Sequence, residues 1–180
     1  MKNPQRRNYM VLLLLILVFA CPGLAALAFY KHPQWLSTGA VNKGQLLNPP
    51  ELVSGIQAKA KWRLILWNPG ACDVACQQQL DKLARIRLAL GRRLYEVDEW
   101  LINTETLPEN LSQSLNDQDI HNLLLAPADS GKQSVLTGAS RIFIANPDNY
   151  LILAYPTDDK PDNIFRDLKR LLNSNDNKRG

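Results

Sequence analysis

The run Trp62-Arg63-Leu64-Ile65-Leu66-Trp67 constrains this chain more than any other stretch. It is almost continuously apolar, as a strand covered on both faces must be. Asn68-Pro69-Gly70 then supplies turn chemistry, and Cys72 and Cys76 come next, four apart, where a helix should begin. A strand of this kind calls for a sheet with layers on both sides. In open α/β sheets the carboxyl end of such a strand is where sites are built.

The rest of the chain supplies further elements. From about Asp73 to Leu90, Leu80, Leu83, Ile86, Leu88 and Leu90 make a largely helical apolar stripe, and Gly91 fits a C-terminal stop. Leu94 to Ile102 reads as a second strand, more polar than the first through Glu96, Asp98 and Glu99. Pro108-Glu109 opens a helix expected to run to about Leu125. Arg141–Ala145 and Tyr150–Tyr155, joined by Asn146-Pro147-Asp148-Asn149, form a hairpin. Pro161 opens a last helix with Ile164, Phe165, Leu168, Leu171 and Leu172 on one face. No repeat and no low-complexity tract appears.

Residues 9–30 contain no charged side chain over 22 positions, enough to cross about 30 Å of hydrocarbon at about 1.5 Å per residue. Lys2, Arg6 and Arg7 precede this stretch, which places the N-terminus in the cytoplasm and the remainder across the membrane. Pro22-Gly23 interrupts the span, as membrane helices tolerate. The expected layout is a cytoplasmic N-terminus over 1–8 and a transmembrane helix over 9–30. A linker and lead-in over 31–57, a folded domain over 58–174 and a flexible tail over 175–180 complete it. The expected location is a bacterial inner membrane with the domain in the periplasm. Cleavage as a signal peptide is the rival reading, although Ala25-Ala26-Leu27-Ala28 is a poor cleavage site. Val18-Phe19-Ala20-Cys21 makes only a faint lipobox, and Cys21 reads as an apolar residue of the span. Trp35 is either an interfacial anchor or a surface contact of the domain.

The net charge of +4 overstates the domain's basicity. Three of the 21 basic residues precede the span, so the part after Tyr30 holds 18 basic and 17 acidic residues. That balance excludes a nucleic-acid-binding face, which needs uncompensated clusters of Lys and Arg. Arg85, Arg87, Arg92 and Arg93 are the one basic concentration, read as a solvated helix face.

Only Cys72 and Cys76 lie outside the apolar stretch. A thiol at a helix start faces unpaired N–H groups and the positive end of the helix dipole, which favour thiolate. Spacing by four puts both sulfurs on one side of the first turn, with Cα atoms about 6 Å apart, within disulfide range. The same pair suits a soft ion such as Cu(I). A passive disulfide is the plain alternative, although so small a loop removes little chain entropy. Asp73, between the cysteines, reads as a helix N-terminal acid that can tune a thiol. Glu96, Asp98 and Glu99 read as a solvated strand end, and Trp62 and Trp67 as core and site-wall residues. No Ser/His/Asp arrangement, phosphate loop or zinc spacing is present.

The order strand, helix, strand, helix, hairpin, helix matches a thioredoxin-like fold, a central mixed sheet flanked by helices. With Cys72-x-x-x-Cys76 and Ile142-Phe-Ile-Ala-Asn-Pro-Asp148, the chain over 60–172 resembles the Sco family of cytochrome c oxidase assembly proteins. It is also similar to small transmembrane proteins of bacterial cytochrome oxidase loci. Their shared elements are matched by Asn42 to Pro50, Pro69 to Cys76 and Arg87-Leu-Ala-Leu-Gly91. Sco proteins add a histidine to the two cysteines as a copper ligand. The corresponding stretch here, Leu136 to Arg141, has none, and only His32 and His121 exist in the chain. His121, expected on a helix, reads as a surface histidine rather than a ligand. The proline that usually precedes the third thioredoxin strand is missing near Ala139–Ser140.

The resemblance implies an accessory factor of cytochrome c oxidase assembly. It would present Cys72 and Cys76 to an oxidase subunit or copper carrier, as a thiol reductant or a transient Cu(I) pair. Two alternatives stand beside it. One is a membrane-tethered thiol–disulfide oxidoreductase in which Cys72 attacks and Cys76 resolves. The other is a non-catalytic binding module with a structural disulfide.

Overall fold

The computed structural model describes residues 4–31, 42–56, 60–125 and 135–176, without the side chains of residues 4–8, 11, 13, 25, 29, 175 and 176. Met1–Val41 and Asn42–Gly180 form two separate compact units. The first contains a single described helix, α1 (Pro4–Lys31), which includes Pro22. Its described large apolar side chains, Leu14 to Leu17 among them, are at least half exposed. Among the described residues no helix is long and apolar enough to cross a membrane.

The second unit is built on six strands: β1 (Gln45–Leu52), β2 (Trp62–Asn68), β3 (Val97–Asn103), β4 (Ile120–Leu124), β5 (Arg141–Ala145) and β6 (Tyr150–Pro156). Their order across the sheet is β1-β6-β5-β2-β3-β4. β2 runs parallel to β3, and β3 to β4; the pairs β2–β5, β5–β6 and β6–β1 are antiparallel. The hydrophobic run therefore becomes a central strand, with Leu64 and Ile65 fully buried and Leu66 at 1 % exposure. Its described helices are α2 (Val74–Ala89), α3 (Glu109–Asp117) and α4 (Pro161–Asp176). A short 3-10 turn, Gly91–Glu96, links α2 to β3, and Gly91 takes the left-handed conformation (φ 61°) that ends a helix without strain.

The two faces of the sheet are covered differently. Leu64, Leu66, Val97 and Leu101 pack with Leu80 and Leu83 of α2, Leu115 of α3, and Ile164 and Leu168 of α4. Ile65, Trp67, Trp100, Ile102 and Phe143 meet Val53, Ile56, Leu125 and Leu136, so the described cover of that face is loop rather than helix.

Three expectations change. The stretch expected as linker and lead-in contributes β1 at the sheet edge. Its register with β6 breaks between Leu46 and Glu51, and the bulge absorbs Pro49-Pro50 with a cis Asn48–Pro49 bond. Proline is tolerated at such an edge because its missing N–H would bond nothing there. The helix expected to reach Leu125 stops at Asp117, and Ile120–Leu124 is β4, joined through Asp119 at φ 59°. The polar strand expected from Leu94 begins at Val97, and every residue of it is buried.

The residues leading into β1 are tied to α4 by one carboxylate. Oδ2 of buried Asp167 on α4 accepts the N–H groups of Lys43 (2.6 Å) and Gly44 (2.9 Å) and the hydroxyl of Tyr155 (2.8 Å). Burial and the bond to Asp167 push the Tyr155 phenol up from its ordinary value. Gly44 lies so close to the Tyr155 ring that any Cβ there would overlap it. Asp167→Ala leaves two N–H groups and a buried hydroxyl without their acceptor, at about 1–3 kcal/mol for each buried group left unpaired. Urea unfolding of the Asn42–Gly180 unit should show a loss of about 3 kcal/mol or more. A loss under about 1 kcal/mol would show that the tie contributes little.

Candidate functional site: a disulfide at the end of the central strand

β2 ends at Asn68, on the carboxyl end of the central strand, and Asn68 organises the turn beyond it. Its Nδ2 donates to the carbonyls of Gly70 and Ala71, both at 3.0 Å. Its Oδ1 accepts the Ser140 hydroxyl at 2.7 Å. The hydroxyl of Thr104, just past β3, donates to the Pro69 carbonyl. The turn is thus held from below by β2, from one side by the β3 end and from the other by the approach to β5.

Cys72 and Cys76 are joined in a disulfide with Cα atoms 5.1 Å apart. Cys72 precedes the helix and Cys76 lies in its first turn. Both are largely buried, at 8 % and 4 % exposure, against the apolar cluster beneath α2. Asp73 is the N-cap of α2, and its Oδ1 accepts the Cys76 N–H at 2.9 Å. Val74, within the loop, is exposed. The site therefore offers one redox couple, a dithiol–disulfide pair on a rigid strand end. After reduction it would offer two sulfur donors to a soft metal.

The other candidates separate in space. His121 lies on β4, not on a helix, with its ring 4.8 Å from that of Trp100. Trp100 belongs to the core opposite the cysteines, so His121 is on the wrong face to join them. His32 and Trp35 lie outside the described residues. No group of three or more His, Cys, Asp or Glu able to hold a metal occurs among the described residues. Trp62 and Trp67 are core on opposite faces. The basic concentration is not simply solvated: Arg87 pairs with Asp119 at 2.6 Å, and Arg93 with Glu96 at 2.9 Å and with Asn173 on α4. Arg85 meets Asp81 at 3.9 Å across the helix surface.

The acids expected at a solvated strand end divide as well. Glu96 bonds Arg93, and buried Asp98 bonds Lys61 at 2.7 Å. Glu99 is fully buried on the α2 side, with neither carboxylate oxygen hydrogen-bonded. Burial raises its pKa from 4.5 to about 8, Arg87 opposing and Asp81 adding to the rise. No alternation in the sequence signals this, because β3 is buried on both faces. Asn68 and Ser140 are equally invisible in the sequence, since a turn asparagine and a loop serine carry no mark of their mutual bond.

The family described as transmembrane-like, thioredoxin-like, C-terminal domain matches residues 62–174. No curated protein matches the chain. Among solved structures, a DsbF homologue from Corynebacterium diphtheriae is similar at 14 % identity with a TM-score of 0.50, over 74 % of this chain and 95 % of that one. Copper-bound ScoI of Bradyrhizobium japonicum is 19 % identical with a TM-score of 0.46, over 62 % and 85 %. A thiol:disulfide interchange protein from Bacteroides sp. is 13 % identical with a TM-score of 0.44, over 63 % and 74 %. The first likeness shows a thioredoxin-like fold.

Glu99 generates a pH signature. The folded carboxyl keeps its proton up to about pH 8, whereas the unfolded one releases it near 4.5. The folded chain holds the extra proton between these values. Its contribution is full below about pH 4.5 and is lost as pH rises through about 8, at a limiting slope of about 1.4 kcal/mol per unit. Glu99→Gln should flatten the fall in unfolding free energy between pH 5 and 8. An unchanged slope would place the titration elsewhere.

Proposed function

We propose a function from a settled premise: the chain belongs to the transmembrane-like, thioredoxin-like C-terminal domain family. Our reading is a membrane-anchored accessory factor of bacterial cytochrome c oxidase biogenesis. It presents Cys72 and Cys76 to an oxidase subunit or a copper carrier on the periplasmic side of the inner membrane. The observation that carries it is the disulfide itself, formed at the carboxyl end of the central strand and at the start of α2.

Anchoring rests on the sequence alone: positions 9–30 carry no charge, and Lys2, Arg6 and Arg7 lie before them. The oxidase assignment rests on the motifs Asn42 to Pro50, Pro69 to Cys76 and Arg87 to Gly91. In the reduced chain, Cys72 and Cys76 would be the donors to Cu(I), which accepts two thiolates. Bound copper would supply a transferable soft cation. The placement of His121 on the far face favours thiol exchange as the pair's chemistry. In that exchange the Cys72 thiolate would attack a partner disulfide, and the Cys76 thiolate would release the mixed disulfide.

A strain in which Cys72→Ser and Cys76→Ser replace the native pair should lose most of its assembled oxidase activity at normal levels of the protein. Full activity would contradict a chemical role in assembly. Titration of the reduced chain with Cu(I) separates the two chemistries: stoichiometric binding abolished by Cys72→Ser supports copper transfer, and its absence leaves thiol exchange.

A further inference from the structure

The surroundings of the pair are acidic. The Asp73 carboxylate accepts the Cys76 N–H at 2.9 Å. An amide nitrogen and the sulfur of its own residue lie within about 4 Å, so this carboxylate is within about 7 Å of the Cys76 sulfur. Glu105, in the loop after β3, is a second acid beside the turn: its Oε1 is 3.8 Å from where a Cβ on Gly70 would stand. The basic groups on the bordering elements point away. Arg141 at the start of β5 is opposite Trp67 in register, so its side chain belongs to the other face of the sheet. Lys82, farther along α2, is bonded to the carbonyl of Thr157.

A helix start ordinarily steadies a thiolate, because its N–H groups and dipole face the sulfur. Here one of those N–H groups is already taken by a carboxylate, which offsets the dipole with a full negative charge. A reduced pair whose thiolate is well stabilised is hard to oxidise, which is what makes a dithiol protein an oxidant. Opposing the thiolate has the reverse effect.

We propose that Asp73 sets the direction of electron flow, holding Cys72 and Cys76 as a reductant of a partner's disulfide rather than an oxidant of its thiols. This rests on the exchange reading given above. In the reaction, the Cys72 sulfur attacks one sulfur of the partner disulfide and the other leaves as thiolate. Cys76 then attacks Cys72, forming the intramolecular disulfide and releasing the second partner thiolate. Two electrons and two protons pass to the partner. The Cys72–Cys76 disulfide returns to dithiol by exchange with a membrane-side dithiol donor.

Asp73→Asn is the suitable test, because asparagine caps a helix as well as aspartate and is nearly isosteric with it. The full-length chain in detergent is equilibrated with glutathione buffers, and the alkylation rate of the reduced pair is followed against pH. The variant should show at least tenfold more thiolate at pH 7 and an equilibrium shifted at least several-fold toward the reduced form. Glu105→Gln should move both readouts the same way by a smaller factor. Unchanged readouts in both variants, or shifts toward the disulfide, would overturn the role of Asp73 while leaving exchange intact. A native pair that exchanges with no thiol would instead overturn the exchange reading.

Discussion

Everything functional in this chain hangs on the junction where β2 becomes α2. β2 is hydrogen-bonded on both edges, to β3 and β5, and sheathed on both faces. Each buried Leu or Ile in it contributes on the order of 1.5–3 kcal/mol, so the strand end does not wander. Asn68 passes that rigidity on: one amide group binds two turn carbonyls and the Ser140 hydroxyl. The cysteines are therefore positioned by the sheet rather than by a free loop. Ser140, near the place where a thioredoxin-like fold usually carries a proline, gives the site a hydrogen-bonding side chain instead of a fixed ring.

Polar groups inside the unit obey two different logics. Asp167 gathers three donors on Oδ2, leaving Oδ1 buried without one, and fastens an edge strand whose own pairing is interrupted by prolines. Glu99 is buried without such partners and lowers its cost by keeping a proton. The first is a structural tie. The second couples the stability of the fold to pH between about 5 and 8. Both lie apart from the bonds that hold the disulfide turn, so fold stability and thiol chemistry respond to separate groups.

The parts of the fold legible in the sequence are those with a single dominant signal. β2 has its apolar run, α2 its stripe and glycine stop, the β5–β6 hairpin its turn residues, and α4 its Pro161 start. β1 is hidden by Pro49-Pro50, which argue against a strand unless it lies at an edge and bulges. β4 is hidden because Ile120, Leu123 and Leu124 extend the apolar pattern of the preceding helix, whose stop at Asp117 bears no glycine. Of the site, the thiols and the capping acid are readable from spacing. The Asn68–Ser140 bond is not, because it joins positions 72 residues apart. His121 sits on a strand where the sequence pattern suggests a helix, and the face it occupies is what keeps it from the cysteines.

The central claim is that the Cys72–Cys76 pair is chemically competent in the folded chain although both residues are largely buried. Reduction by dithiothreitol under native conditions tests it most directly, with alkylation counting thiols while tryptophan fluorescence from Trp62, Trp67 and Trp100 reports the fold. Two thiols beyond that of Cys21 should appear while the fluorescence stays native, and the same disulfide should return on oxidation. Thiols that appear only in step with unfolding would contradict the claim and make the pair a structural staple.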